Sequence, residues 1–156
     1  MSRLRFLAVL AALIIVEATP AEAGGPYQFY SLAPCRIVDT RNPNGLTGGP
    51  ALLGGAQRNF PISAWPAACG VPASATAAAL NVTMVQPTAA GYLVIWPFQT
   101  PIPLVSNINA NAGEPAIANS ALAPLTADPN FNVSVVYGTA GGGSCHVIID
   151  VTGFYQ

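Results

Sequence analysis

Short apolar runs closed by proline, glycine or asparagine are the feature that most limits how this chain can fold. The runs are rich in Val, Ile, Leu, Tyr and Phe, which favour strands, and no stretch shows the period and caps of an amphipathic helix. The pattern predicts an all-β fold, an antiparallel two-sheet sandwich or jelly roll. The predicted strands are Tyr27–Leu32, Arg36–Thr40, Gln57–Ile62, Ala77–Val85, Tyr92–Trp96, Ser106–Asn109, Ile117–Leu122, Asn132–Tyr137 and His146–Tyr155.

The last predicted strand has two different faces. The odd-numbered residues from Val147 to Val151 are apolar, so one face is wholly apolar. The other face carries Asp150, whose carboxylate would be expensive to bury alone. We therefore expect Asp150 to pair with Arg36 or Arg41, which would join the first and last strands of the domain.

Residues 1–23 have the parts of a secretory signal peptide in the usual order. Two arginines precede the apolar run 6–16, and the small residues Ala21 and Ala23 follow it, as signal peptidase requires. The apolar run is too short to span a bilayer. We predict cleavage after Ala23, which leaves one domain over residues 24–156 that is secreted or held at the cell surface. The alternative is an uncleaved anchor helix.

Charge is nearly absent from the chain. Charged residues make up 7% of the sequence, the net charge is −1, and there is no lysine. This balance gives no reason to expect nucleic acid or an anionic membrane surface as a partner. Because 52% of the residues are hydrophobic, we expect a packed domain rather than a disordered chain. A weakly charged surface has little colloidal repulsion, which favours self-association or attachment to a surface.

Export would carry Cys35, Cys69 and Cys145 into an oxidising compartment, where two of them can pair. We favour Cys35 with Cys69, because closing a loop of that length stabilises a fold by about 3–4 kcal/mol and would hold a long segment without strands. Cys35 with Cys145 is the alternative pairing. In the favoured case, Cys145 is a buried thiol, which is the simpler reading, or forms an intermolecular disulfide.

The segment Pro34–Arg41, Pro-Cys-Arg-Ile-Val-Asp-Thr-Arg, holds two of the three arginines that follow the leader. Polar groups this dense beside apolar neighbours predict a strand end whose side chains form ion pairs and hydrogen bonds. We expect Arg36, Asp39, Arg41 and Asp150 to form a structural cluster rather than a catalytic one.

Residues that would support catalysis are few. His146 is the only histidine and shares a strand face with Asp150, but Cys145 beside it points to the opposite face, which disfavours a Cys–His pair. Asp128 and Asn130 give only a weak hint of a calcium loop. We therefore expect no catalytic residue, no cofactor and no metal, and a hydrolase is the third-ranked hypothesis.

Exposed aromatic rings would favour a carbohydrate-binding surface, because such rings stack on the apolar faces of sugars. Trp65 lies in a proline-flanked loop and is the candidate ligand contact. Tyr92 and Trp96 share a strand face, and we expect them to pack in the core or between the sheets.

Four segments, in this order along the chain, resemble a domain that recurs in secreted and surface proteins of actinobacteria, acidobacteria and related environmental bacteria. The segments are Phe29–Arg41 (FYSLAPCRIVDTR), Leu80–Leu93 (LNVTMVQPTAAGYL), Ser106–Asn109 (SNIN) and His146–Tyr155 (HVIIDVTGFY).

The resemblance covers residues 27–155. It implies an exported β domain, but it implies location and fold more than activity, because the family is mostly uncharacterised. It also supports a bond between Cys35 and Cys69, since relatives commonly carry a cysteine before the Gly-Val-Pro stretch.

These observations predict a secreted, non-catalytic structural or surface-associated module that self-associates, with a homo-oligomer or a cell-surface component as its partner. The alternative is a module that binds a glycan or another surface polymer.

Overall fold

The computed structural model describes residues 25–63 and 69–156, which form two antiparallel β-sheets packed face to face as a sandwich. The predicted all-β sandwich is confirmed. The predicted leader and the candidate contact Trp65 lie outside the described residues. Among the described residues, no helix is long and apolar enough to cross a membrane. The strands are β1 Phe29–Asp39, β2 Leu52–Leu53, β3 Gln57–Phe60, β4 Ala77–Val85, β5 Gly91–Pro97, β6 Ile108–Ala110, β7 Ala116–Pro124, β8 Val133–Gly138 and β9 Ser144–Tyr155.

The first sheet has the strand order β1, β9, β4, β7, and β2 pairs with the beginning of β9. The second sheet has the order β3, β8, β5, β6. Strand β9 is therefore central, with β1 on one side and β4 on the other. This confirms the predicted contact between the first and last strands of the domain.

The core lies between the inner faces of the two sheets. The odd-numbered residues of β9 from Val147 to Val151 are completely buried, as their alternation predicts. The even-numbered residues of β4 from Leu80 to Met84 pack with them, and the second sheet contributes Val133, Val135 and Tyr137. Alternating apolar residues thus produce a single core between two amphipathic sheets.

A β-bulge at Thr152 changes the phase of β9. Val151 faces Leu80 and Gly153 faces the preceding residue of β4, so Thr152 has no partner on that strand. Because of this extra residue, both Val151 and Phe154 point into the core, although their numbers differ in parity. The bulge therefore turns Phe154, near the end of β9, into the core between the sheets.

The strand bounds are partly as predicted. Ala77–Val85 matches β4 at both ends, whereas Tyr27–Leu32 and Arg36–Thr40, predicted as two strands, are one strand, β1. A register shift between Ser31 and Cys35 accommodates the intervening Ala-Pro, so the pairing with β9 resumes beyond it. Strand β2 was not predicted, since two residues are too few to show a period.

The predicted burial is confirmed for Trp96 and is wrong for Tyr92. Their face of β5 is the outer face of the second sheet, where Trp96 is buried with Val94 and Val136 in a small separate cluster. The segment that follows β5 covers this cluster, and Trp96 Nε1 donates a hydrogen bond of 3.0 Å to the Thr100 carbonyl. Tyr92 remains exposed. An apolar outer face covered by a connection has the same alternation as a core face, so the sequence pattern does not distinguish them.

Removing the buried side chain at the centre of β9 should destabilise the whole sandwich. We expect Ile149→Ala to lower the free energy of unfolding by about 2–4 kcal/mol, because the transfer term and the cavity term add. Leu122→Ala, on an exposed position of β7, is the control and should change it by less than about 0.5 kcal/mol. Urea unfolding followed by circular dichroism measures both, and equal losses would contradict the described core.

Candidate functional site

The structure contains a disulfide between Cys35 and Cys69, the pairing that the sequence favoured. The two residues are 34 positions apart, and their Cα atoms are 5.5 Å apart. The bond ties β1 to the segment before β4. A disulfide of this kind is typical of oxidising compartments, so it indicates an extracytoplasmic protein.

Cys145 is a free thiol within the core. Burial raises its pKa to about 12, so the reactive thiolate is not formed at neutral pH. The simpler reading of Cys145, a buried thiol, is therefore confirmed, and the pairing of Cys35 with Cys145 is wrong.

The polar cluster begins with a bidentate ion pair across the β1–β9 ladder. Arg36 and Asp150 are directly opposite each other in the register. Arg36 Nε lies 2.8 Å from Asp150 Oδ1, and Arg36 Nη2 lies 3.2 Å from Oδ2. Of the two arginines that the sequence offered to Asp150, the structure brings Arg36 to it.

A second bidentate pair lies at the end of β1. Arg41 Nε and Nη2 lie 2.8 and 2.6 Å from the two carboxylate oxygens of Asp39, and the Arg41 backbone N–H donates to the same carboxylate. Arg36 Nη1 is 3.5 Å from Asp39, so the two pairs form one network. The hydrogen bonds from the Arg41 side chain lower the pKa of Asp39 from its ordinary 3.8 to about 2.

Burial within this network is unequal. The Asp39 side chain is only 7% exposed, whereas those of Arg36 and Arg41 are 49% and 47% exposed. The carboxylate therefore anchors the cluster, and the guanidinium groups face solvent. The ion pairs are half-exposed rather than buried, so solvent screens their contribution to stability.

The exposed side of the Arg36–Asp150 pair lines a shallow groove of about 520 Å³ on the outer face of the first sheet. Asn81 and Thr152 complete its polar lining, next to Pro34 and the disulfide. Phe29 extends this surface, because its half-exposed ring lies over Gly153 and leaves no room there for a side chain. The groove thus combines a planar ion pair, an amide and a hydroxyl, and the exposed Phe29 ring lies over Gly153, the residue after Thr152.

His146 belongs to a structural contact. Its Nδ1 is 3.1 Å from the Thr40 hydroxyl, which also accepts the backbone N–H of Val147 at 2.9 Å. Cys145 lies in the core on the opposite face, as the alternation predicted. The two residues that a Cys–His nucleophile would need are therefore separated.

Asp128 has a local role in its loop. Its Oδ1 accepts the backbone N–H groups of Asn130 and Phe131 at 2.8 and 2.9 Å, which closes a turn. Within residues 25–63 and 69–156, no three His, Cys, Asp or Glu side chains come close enough to hold a metal ion.

Arg58 is a residue whose role the sequence did not reveal. Its guanidinium lies 4.9 Å from the Phe60 ring centroid and donates to the carbonyls of Gly48 and Pro50, which holds the loop after Arg41 against β3. Partial burial lowers the pKa of Arg58. A lone arginine in a short strand gives no local signal of partners ten residues away.

Comparison with known proteins adds no assignment. No protein-family model matches the chain, and no curated protein matches it significantly. The chain forms a β-sandwich domain that contains a disulfide, and neither the fold nor the comparisons indicate its function.

The Asp39 network should make stability depend on acid pH. Because folding lowers the pKa of Asp39, its contribution is fully present above pH 3.8 and is lost as the pH falls towards 2. We expect Asp39→Asn to cost about 1–2 kcal/mol at pH 6, after allowance for screening of the half-exposed arginines.

Unfolding free energies of the wild type and Asp39→Asn, measured from pH 6 to pH 2, test this. The difference between them should shrink below pH 4, and Arg41→Gln should reproduce most of it. A difference that stays constant down to pH 2 would show that Asp39 makes no charge-dependent contribution.

Proposed function

We propose that this protein is a secreted or surface-attached structural module, not an enzyme, whose copies associate with one another through uncharged surfaces. The observation that carries the proposal is the distribution of charge. In the described part of the chain, the charged side chains outside the polar corner of the sandwich are Glu114 and Asp128. The charged side chains in that corner are Arg36, Asp39, Arg41, Arg58 and Asp150.

The opposite edge of the sandwich supports the proposal through its exposed apolar groups. Ile102, Leu104 and Val105 lie in the connection between β5 and β6, and with Tyr92 they line a shallow hollow of about 520 Å³. Exposed apolar groups grouped in this way, without charges among them, favour contact with another surface.

Association through uncharged surfaces should not weaken in salt, because there is no attraction between charges to screen. We expect the protein recovered after export to show a mass that rises with concentration to a multiple of the monomer mass. The midpoint of that rise should move less than about twofold between 0.05 and 0.5 M NaCl. Sedimentation equilibrium measures both quantities, and a monomer at every concentration would contradict the proposal.

Carbohydrate binding is the second candidate, and the groove beside Asp150 favours it. Planar polar groups such as the Arg36–Asp150 pair and the Asn81 amide suit adjacent sugar hydroxyls, and the Phe29 ring offers a stacking surface.

A glycan-binding screen tests this second candidate. We expect Asn81→Ala or Phe29→Ala to reduce binding at least tenfold, which is the loss of one good contact of about 1.4 kcal/mol. Tyr92→Ala is the matched control, because it removes an exposed ring from the other sheet. Unchanged binding in both groove variants would exclude the groove, and the loop around Trp65 would be tested next.

A further inference from the structure

Apart from the two-residue β2, the described sandwich has four edge strands, and three of them are protected against pairing with another chain. Strand β1 carries two charged residues of the polar corner, Arg36 and Asp39, and has two register shifts along its ladder with β9. Strand β3 has four residues, of which Arg58 is one, and β6 has only three residues. Charge, irregularity and shortness are the means by which natural sheets prevent edge-to-edge pairing.

Strand β7 has none of these protections. It is nine residues long, carries no charged side chain, and pairs with β4 over its full length without a register shift. Within the described residues, no strand pairs with its other side. Its middle residues Ala118, Asn119 and Ser120 are exposed. A long, flat, uncharged edge of this kind is a template for another extended chain.

The hydrogen bonds at the two ends of the β4–β7 ladder show which backbone groups of β7 point away from β4. Gln86 N–H donates to the Pro115 carbonyl, and Leu125 N–H donates to the Thr76 carbonyl. Because the pattern repeats every second residue, the odd-numbered residues of β7 bond to β4. The N–H and C=O groups of the even-numbered residues from Ala116 to Leu122 therefore point to the free edge.

We propose that β7 pairs antiparallel with β7 of a second copy of the chain, about a two-fold axis at Asn119, so that two first sheets become one continuous sheet. This inference rests on the proposed self-association and names the surface and the partner. In this register Ala118 faces Ser120, and Ala116 faces Leu122. All four outward N–H groups of each copy then meet a carbonyl of the other.

The register follows from the prolines that bound the strand. If the axis lay at Ser120 instead, Ala116 would face Pro124, which has no N–H to donate. With the axis at Asn119, the paired segment is 116–122, and both Pro115 and Pro124 lie outside it. The segment carries no charge, so no like charges meet across the axis.

One contact of the single chain must change in the pair. The Asn119 side chain accepts the Ser120 N–H at 3.0 Å and donates to the Asn107 carbonyl of the second sheet at 2.9 Å. In the pair, the Ser120 N–H would donate to the Ala118 carbonyl of the second copy instead of to the Asn119 side-chain oxygen. The bond to Asn107 can remain, because it runs to the neighbouring sheet and not across the edge.

Cysteine cross-linking tests the register. In the proposed pair, the two copies of residue 119 face each other at a position where Cα atoms are about 4.5 Å apart, which is within reach of a disulfide. The two copies of residue 122 are six positions apart, or about 20 Å. We expect Asn119→Cys to form a covalent dimer under mild oxidation and Leu122→Cys, at a position that is also exposed, to form none. No covalent dimer from Asn119→Cys, or equal yields from both variants, would overturn the proposal.

A proline variant tests the edge without a new thiol. Ala118→Pro removes an outward N–H that the β4 ladder does not use, so the fold should persist while association weakens at least tenfold. Ala118→Val keeps the N–H and should associate like the wild type. Circular dichroism shows that each variant is folded, and sedimentation equilibrium gives its mass.

The outcomes separate this inference from the proposed function. A wild type that stays monomeric contradicts both. Wild-type association that Ala118→Pro leaves intact, and that Leu104→Glu abolishes, would keep the self-association and overturn β7 as its surface.

Discussion

The first sheet depends on backbone pairing on both sides of β9. This strand holds β1 through one row of hydrogen bonds and β4 through the other, while its alternate residues fill the core. The bulge at Thr152 lets one strand do both along its whole length, because it restores the inward direction for Phe154. Loss of order in β9 would therefore remove the ladder and the core together.

The polar corner follows from the same pairing. Since β1 lies directly beside β9, Arg36 meets Asp150 across the ladder, and Asp39 is positioned at the strand end where Arg41 can turn back to it. The disulfide adds a covalent tie from Cys35 of the same strand to the segment before β4. Charge is thus concentrated on one edge of the sandwich, and strand β7 at the opposite edge carries no charged side chain.

The two proposed binding surfaces do not compete. The groove lined by Asn81 and Asp150 lies on the outer face of the first sheet, whereas the β7 pairing uses the edge of that sheet. A two-fold axis at Asn119 runs perpendicular to the sheet, so the joined sheet would present both grooves on one face. A dimer of this form would present two grooves to a ligand made of repeated units. Binding in both grooves at once would raise the avidity without any new contact.

Alternating apolar residues and frequent breakers were enough to predict the all-β sandwich and the bounds of β4, because local periodicity records which face of a strand is buried. The concentration of Arg36, Asp39 and Arg41 in one segment likewise predicted an ion-pair cluster. The choice of Arg36 for Asp150, the outer-face position of Trp96 and the carbonyl partners of Arg58 depend on strand register and on contacts between distant segments. The exposed edge of β7 belongs to the same group. Its sequence resembles that of any half-buried strand, and only the order of strands in the sheet decides which strand has no neighbour on one side.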